Sequence, residues 1–376
     1  MNTSPVSAAG VDLDDADGLL EADRMGSLRA ASMAGAQVRA IASALEEGEL
    51  DAVASDAPPR TLVWVAGRGP AENAAAMLAG ALGGSVGTPI VVASEAPPWI
   101  GALDVLIVAG DDPGDPLLVS AAAMGVRRGA RVVVVAPYEG PLREATAGRS
   151  VALAPRVPVS EDFTLVRYLA AGLAVLQVIV PGNRVDLAAL ADELDAEAFR
   201  NSAGREVFTN PAKSLADRMA GRDVVFAADN SAFLALARHA CTVMLRVAHK
   251  TVAAVGLPDA LVAIGTGWGR DSGERDERSI FHDEDIDGPL PQRTRTIVLT
   301  ADAQRPAVTA RLAGFDDVHV VNSNDVPESL GNVATREGQS APGSAPVPGV
   351  GCLEQQLALL AVRIEMAAVY QRLVRG

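Results

Sequence analysis

Short apolar runs alternate along this chain with longer stretches of helical periodicity. Thr61–Ala66 (TLVWVA) is dense in β-branched residues, the composition of a strand buried on both faces. It stops at Gly67-Arg68-Gly69, and Pro70 stands where the first turn of a helix accepts proline. Ala71–Leu82 then predicts an alanine-rich helix, closed by Gly83-Gly84. Strand, glycine turn and helix form the opening unit of a doubly wound α/β domain, whose loop lies where such sheets bind ligands. Further strands are predicted at Pro89–Ala93, Asp104–Ala109, Arg131–Ala136 and Val151–Leu153, with helices at Ala71–Leu82, Pro116–Arg128 and Leu142–Ala147. Near-continuous apolar strands in this alternation demand a parallel sheet covered on both faces. Phe163–Val180 reads as a closing helix, broken by Pro181-Gly182-Asn183.

The flanks and the second half follow the same logic. Residues 12–50 carry helical spacing through Leu19, Leu28, Val38, Ile41 and Leu45. Asp186–Phe199 predicts a helix with a polar face, and Asn210-Pro211-Ala212-Lys213 starts another. Asp223–Ala228 is a second opening strand, followed by Asp229-Asn230-Ser231 and a helix to about Lys250. Arg295–Thr300 and Val318–Asn322 add strands, and Leu353–Val374 is a long terminal helix. Gly265–Arg293 reads as a charged excursion, and Gly331–Gly351 as a flexible linker. The expected division is an N-terminal helical segment (1–60), a first domain (61–183), a connecting helix (184–209) and a second domain (210–376).

Composition narrows the possibilities. The chain has 376 residues, 49% of them hydrophobic, enough for two domain cores. A net charge of −15 argues against nucleic acid or anionic membrane as a partner. Two cysteines, Cys241 and Cys352, make no disulfide framework, so a reducing compartment is expected. The acidic N-terminus does not read as a signal peptide. Tyr168–Val180 is too short to span a bilayer comfortably and has Arg167 at its edge, so it reads as a buried helix. A cytoplasmic protein is expected. Nearly every basic residue is arginine; the lysines are Lys213 and Lys250.

Two similar α/β halves, the Asn210-Pro211-Ala212-Lys213 segment and a helix ending in Tyr370 to Gly376 resemble the sugar isomerase (SIS) domain proteins. The resemblance is to their bifunctional phosphoglucose/phosphomannose isomerase family. Leu257-Pro258-Asp259 after Lys250 matches too, and Phe281-His282-Asp283-Glu284 is similar to that family's His-Asn-Glu segment, continued by Ile286 and Gly288-Pro289. The resemblance implies two SIS-type doubly wound parallel-sheet domains, each a three-layer αβα unit, with long helices at both ends. It implies a sugar phosphate held between the domains, a histidine that opens the ring, a glutamate that moves the proton between C1 and C2, and a homodimer.

Several positions depart from the family pattern. Its serine- and threonine-rich phosphate loop is here Gly110-Asp111-Asp112-Pro113-Gly114-Asp115. An aspartate about 4 Å from a phosphate costs on the order of 4 kcal/mol at an effective dielectric near 20. A helix dipole returns only about 0.3–1 kcal/mol. A direct phosphate seat there is therefore not expected; a Mg²⁺ bridge or an acidic turn with an aspartate helix cap are the alternatives. The family glutamate falls in Leu245–Lys250, and no carboxylate occurs between Asp229 and Asp259. A positioned base is worth about 10²- to 10⁴-fold. His249 is the nearest substitute, or an ordinary helical histidine.

His282 and Glu284 keep the family positions, His282 being either the ring opener or a loop histidine among acids. For the ligand, the expected contacts are Gly67, Arg68, Gly69 and Asn73 at the first turn, with Asp229, Asn230, Ser231 and Lys250 from the second half. Arg68 could hold a phosphate bidentately, whereas Asn230 is equally an N-cap. Glu72 and Glu365 are the carboxylates that could face His282. No cofactor and no metal site is expected. Two functions follow: an isomerase interconverting glucose 6-phosphate or mannose 6-phosphate with fructose 6-phosphate, or an inactive SIS-fold protein that binds a phosphosugar or nucleotide sugar.

Overall fold

The computed structural model describes residues 10–67, 69–180, 182, 185–268, 293–315, 317–325 and 352–375. Two parallel sheets form its frame. The first contains β1 (Leu62–Ala66), β2 (Ile90–Ala93), β3 (Val105–Ala109), β4 (Arg131–Val135) and β5 (Val151–Ala152), in the order β2-β1-β3-β4-β5. The second contains β6 (Arg222–Ala228), β7 (Ala253–Gly256), β8 (Arg293–Leu299) and β9 (Val318–Val321), in the order β7-β6-β8-β9. Every pairing is parallel, as strands joined by helical crossovers require. The expected two-sheet α/β architecture is therefore the one observed.

Alternation along the strands divides the core. Leu62, Trp64, Val105, Ile107 and Val133 face one side of the first sheet, while Val63, Val65, Leu106, Val108 and Val132 face the other. The second side is covered by α5 (Pro116–Arg127) and α6 (Gly140–Thr146). The first side is covered by α3 (Ala34–Glu46), α4 (Pro70–Leu82) and α7 (Leu165–Ile179). That core runs without a break into the second sheet, through α9 (Pro211–Met219), α10 (Ser231–Arg246) and a terminal helix, Leu353–Arg375. The terminal helix is buried on nearly every side, from Leu357 to Tyr370. A smaller core beyond the second sheet joins Ala227 and Val298 to α11 (Leu257–Gly265) and the helix Arg305–Arg311.

The seam between the halves is made by α4 and α10. At Gly80 a Cβ would fall 2.6 Å from the backbone nitrogen of Ala232, so only glycine permits this approach. Gly69, at the other end of α4, lies beside Arg246 at the far end of α10, so the two helices run antiparallel.

Three details differ from the sequence expectation. Residues 12–50 form α1 (Ala16–Ala22), α2 (Ser27–Ser32) and α3, because Gly26 at φ 65° breaks the run before α2. The helix expected to reach Lys250 stops at Arg246. Strand β7 had no sequence signal: Ala-Ala-Val-Gly has a single β-branched residue and lies half-buried at a sheet edge. The connecting helix appears as α8 (Leu187–Arg200), with the Asp186 side chain accepting from Ala189 N at its N-terminus. The excursion 269–292 and the stretch 326–351 lie outside the described residues. No described helix is long and apolar enough to cross a membrane.

Candidate functional site

In each sheet the strand order reverses at its first strand, so ligand crevices are expected at the carboxyl ends of β1 and β3, and of β6 and β8. The first crevice lies between Gly67–Gly69 and the loop Gly110–Asp115. The two loops pass closely: a Cβ on Gly67 would lie 3.2 Å from Asp115 Oδ2 and 3.6 Å from the Gly110 Cα. Gly69 takes φ 90° and leads into Pro70, the first residue of α4. Asn73 is half-buried on the next turn, and Glu72 is exposed to solvent.

The three aspartates of the second loop divide their work. Asp115 caps α5 by accepting from Leu117 N at 2.9 Å, and Asp112 accepts from Gly114 N at 2.8 Å. Asp111 turns the other way and meets Arg167 of α7, Nη2 to Oδ1, at 2.9 Å. Asp115 makes this the acidic turn with an aspartate helix cap that the sequence allows, and the buried Arg167 guanidinium adds a compensation for Asp111 that the sequence does not announce.

The second half reaches this crevice through the end of α10. Arg246 donates to the Glu161 carboxylate and places Nε 2.6 Å from Asp162 Oδ1. Glu161 and Asp162 belong to the short turn Glu161–Phe163 before α7. His249 adopts φ 51°, uncommon for a residue with a Cβ, and its Nε2 lies 3.2 Å from Arg372 Nη1.

Apart from these ion pairs, a histidine and a carboxyl meet in a sealed hydrogen bond. His239 of α10 and Glu365 of the terminal helix are 0% and 1% exposed, with Nε2 and Oε1 2.9 Å apart. Burial raises the Glu365 carboxyl above its usual range, His239 draws it back, and Asp162 adds to the rise. Glu365 therefore faces the interior rather than the cleft.

The remaining sequence-selected residues do not join this cluster. Lys250 donates to the Met219 carbonyl, closing the end of α9, and its burial lowers the ammonium pKa. Lys213 is wholly buried and donates to the Ala203 and Arg205 carbonyls, each at 2.7 Å. Asp229, Asn230 and Ser231 stand at the second crevice. Asp229 accepts from Thr300 Oγ1 at 2.7 Å and from Asn230 Nδ2 at 3.0 Å, and Asn230 caps α10 through Phe233 N. Ser231 Oγ lies 2.9 Å from where a Gly80 Cβ would be. The antiparallel seam thus places Asp229–Ser231 about eleven helical residues, roughly 16 Å, from Gly69. Gly67, Gly69 and Asn73 share one crevice, and Asp229, Asn230 and Ser231 share another. Arg68, His282 and Glu284 lie outside the described residues.

Sequence reasoning missed Arg167, Arg246, Glu161, Asp162 and His239. Arg167 carried a signal: a charge bordering an otherwise apolar helix must find a buried partner. Arg246 carried none, being one arginine among many.

No protein-family profile matches the chain, and no curated protein is similar to it. Solved structures are similar over nearly its whole length. Tagatose-6-phosphate ketose/aldose isomerase from Escherichia coli aligns with a TM-score of 0.59 at 13% identity, covering 98% of this chain and 95% of that one. A glucose-6-phosphate isomerase like protein from Thermus thermophilus aligns at 0.51 and 21% identity, covering 97% and 94%. Glucosamine-6-phosphate deaminase from Thermotoga maritima aligns at 0.55 and 11%, covering 93% and 95%. With its two parallel-sheet α/β units and their shared helical seam, the chain has the sugar isomerase fold of these proteins.

Proposed function

We propose that this chain binds a sugar phosphate at the carboxyl edge of its first sheet and does not isomerise it. One observation carries the reading: of the described acids around that crevice, all but the solvent-exposed Glu72 are already committed. Asp111 is held by Arg167, Glu161 and Asp162 by Arg246, Asp112 and Asp115 by backbone N–H groups, and Glu365 is sealed against His239. Moving a proton between C1 and C2 needs a positioned base, a carboxylate in the family this chain resembles, within about 3 Å of the proton it takes. The ligand class is supported by the fold likeness to structures whose names specify phosphosugars. A homodimer is part of the proposal and is measured by light scattering.

The isomerase reading, with His282, Glu284 and His249 as candidate groups, keeps one observation in its favour. His249 holds a left-handed backbone three residues after Arg246, a conformation that costs energy and concentrates at functional sites. Proton NMR of fructose 6-phosphate in D₂O separates the two readings. Binding without loss of the C1 proton signal supports the binding protein. Exchange above the protein-free control, abolished by His282→Ala, establishes an isomerase, and no binding of any hexose phosphate removes both.

A further inference from the structure

The side chains that meet Asp111 offer more hydrogen-bond donors than one carboxylate uses. Thr164 is the N-cap residue of α7, and Arg167 and Tyr168 follow on its first turn. They are 5%, 4% and 0% exposed, whereas the Asp111 side chain is 21% exposed. Arg167 gives Asp111 a single hydrogen bond, from Nη2, and its buried Nε and Nη1 have no partner. Its guanidinium lies 4.3 Å over the Tyr168 ring, which fixes the plane of the fork. The Tyr168 hydroxyl, wholly buried, interacts with Asp111 and Thr164 but makes no well-formed hydrogen bond. Thr164 Oγ1 lies 2.9 Å from the Glu161 carbonyl and 3.4 Å from Asp111 Oδ2.

Buried donors without acceptors are costly, and native interiors keep few of them. Here the unused donors belong to Arg167 and Tyr168, adjacent on one helix turn beside Asp111, while the Thr164 hydroxyl at the head of that turn already donates to the Glu161 carbonyl. A carboxylate presents two oxygens in one plane. A phosphate presents three terminal oxygens in a tetrahedral array, which suits a forked guanidinium, a phenol and a hydroxyl together. Only Asp111 comes from outside this helix, on a turn between Gly110 and Gly114 whose solvent side is open.

We propose that Asp111 is a built-in place-holder for a ligand phosphate, and that the receptor is Arg167 with Tyr168 and Thr164. Two anions cannot share one edge of the guanidinium, so the phosphate enters as the Asp111 carboxylate swings out to solvent. The aspartate-rich loop then acts as a competitor that sets the affinity of the first crevice. The sugar part of the ligand rests on the sugar-phosphate reading, whereas the anion part does not.

The test titrates inorganic phosphate into the full chain by calorimetry, at constant ionic strength, with chloride as the control. Wild type is compared with Asp111→Asn and Asp111→Ser, and each with Arg167→Lys or Tyr168→Phe added. Removing the competitor is expected to tighten phosphate about ten- to a hundredfold, the worth of one charge-assisted hydrogen bond. Adding Arg167→Lys should abolish that gain. If the lysine variants do not fold, loss of the gain on adding Tyr168→Phe makes the same point. An Asp111→Asn chain that folds in phosphate but not in chloride also supports the place-holder.

Equal phosphate affinity in wild type and both Asp111 variants overturns it, as does a gain that survives both second substitutions. Fructose 6-phosphate, run in parallel, separates the two ideas. Variants that gain phosphate but ignore fructose 6-phosphate sink the sugar-phosphate reading and leave the place-holder standing. Fructose 6-phosphate bound equally by wild type and the Asp111 variants does the reverse.

Discussion

The two sheets share a strand order, yet their crevices are finished differently. At the first, side chains from distant segments meet in charged pairs: Asp111 with Arg167, and Glu161 and Asp162 with Arg246 across the seam. At the second, Asp229, Asn230 and Thr300 satisfy one another and the end of α10. The Asn322–Ser323 carbonyls after β9 are gripped by Arg363, which also binds Glu197. Topology offers a site at each reversal point, but side-chain commitments decide whether it is kept for a ligand. The first crevice retains surplus donors; at the second, Asp229, Asn230 and Thr300 spend theirs on one another and on α10.

Four substitutions test that contrast. The largest effect is expected from Arg363→Met. Arg363 and Glu197 are 1% and 0% exposed; without Arg363, Glu197 keeps only Arg200 and Asn201, and the Asn322 and Ser323 carbonyls lose their donor. A loss of about 2–4 kcal/mol in urea unfolding is expected, with no change in ligand affinity. A loss near zero would mean that the second crevice is not held this way.

Gly80→Ala attacks the seam that sets the distance between the crevices. Its Cβ would meet Ala232 backbone, which cannot move without shifting α10. The expected cost is about 1–3 kcal/mol, read as a lower Tm. A neutral result would mean that the helices are free to part.

The second sheet also carries a pH-sensitive residue. His319 on β9 is half-buried, and burial with Arg218, Arg295 and Arg305 lowers its pKa to about 4. The folded state then binds fewer protons than the unfolded one, so His319's contribution is complete above pH 6.5 and is lost as pH falls towards 4. Partial exposure discounts the effect to about 1–2 kcal/mol. His319→Gln should flatten the Tm profile between pH 6.5 and 4, and an unchanged slope would refute the assignment.

Asp229→Ala is the smallest, about 1 kcal/mol for its lost hydrogen bonds. Fructose 6-phosphate affinity should not move. A tenfold fall would transfer the binding site to the second crevice.

Much of the frame is visible in the amino-acid order. β1, β3 and β4 announce themselves as apolar runs because a strand buried on both faces has no polar alternation to blur it. Asp115, Asp186 and Asn230 announce helix starts, because capping is a contact between near neighbours. The ion pairs of the first crevice were not visible. Asp111 and Arg167 are 56 positions apart, and Arg246 and Glu161 are 85. In a chain rich in arginine, composition does not mark which of them matter. Lys213 and Lys250 stand out in the sequence for their rarity, and both tie backbone carbonyls.

The sequence by itself determined the two parallel sheets apart from the edge strand β7, the helices that cover them and the glycine turns at their edges. These follow from local periodicity and backbone preference, which act over a few residues. Only the tertiary structure decided which charges meet, because burial and pairing depend on segments brought together through space. It separated Gly67 and Gly69 from Asp229, Asn230 and Ser231 by running α4 and α10 antiparallel. It sealed Glu365 against His239, and it closed Arg167 over Asp111, where desolvation makes an ion pair matter far more than it would in water.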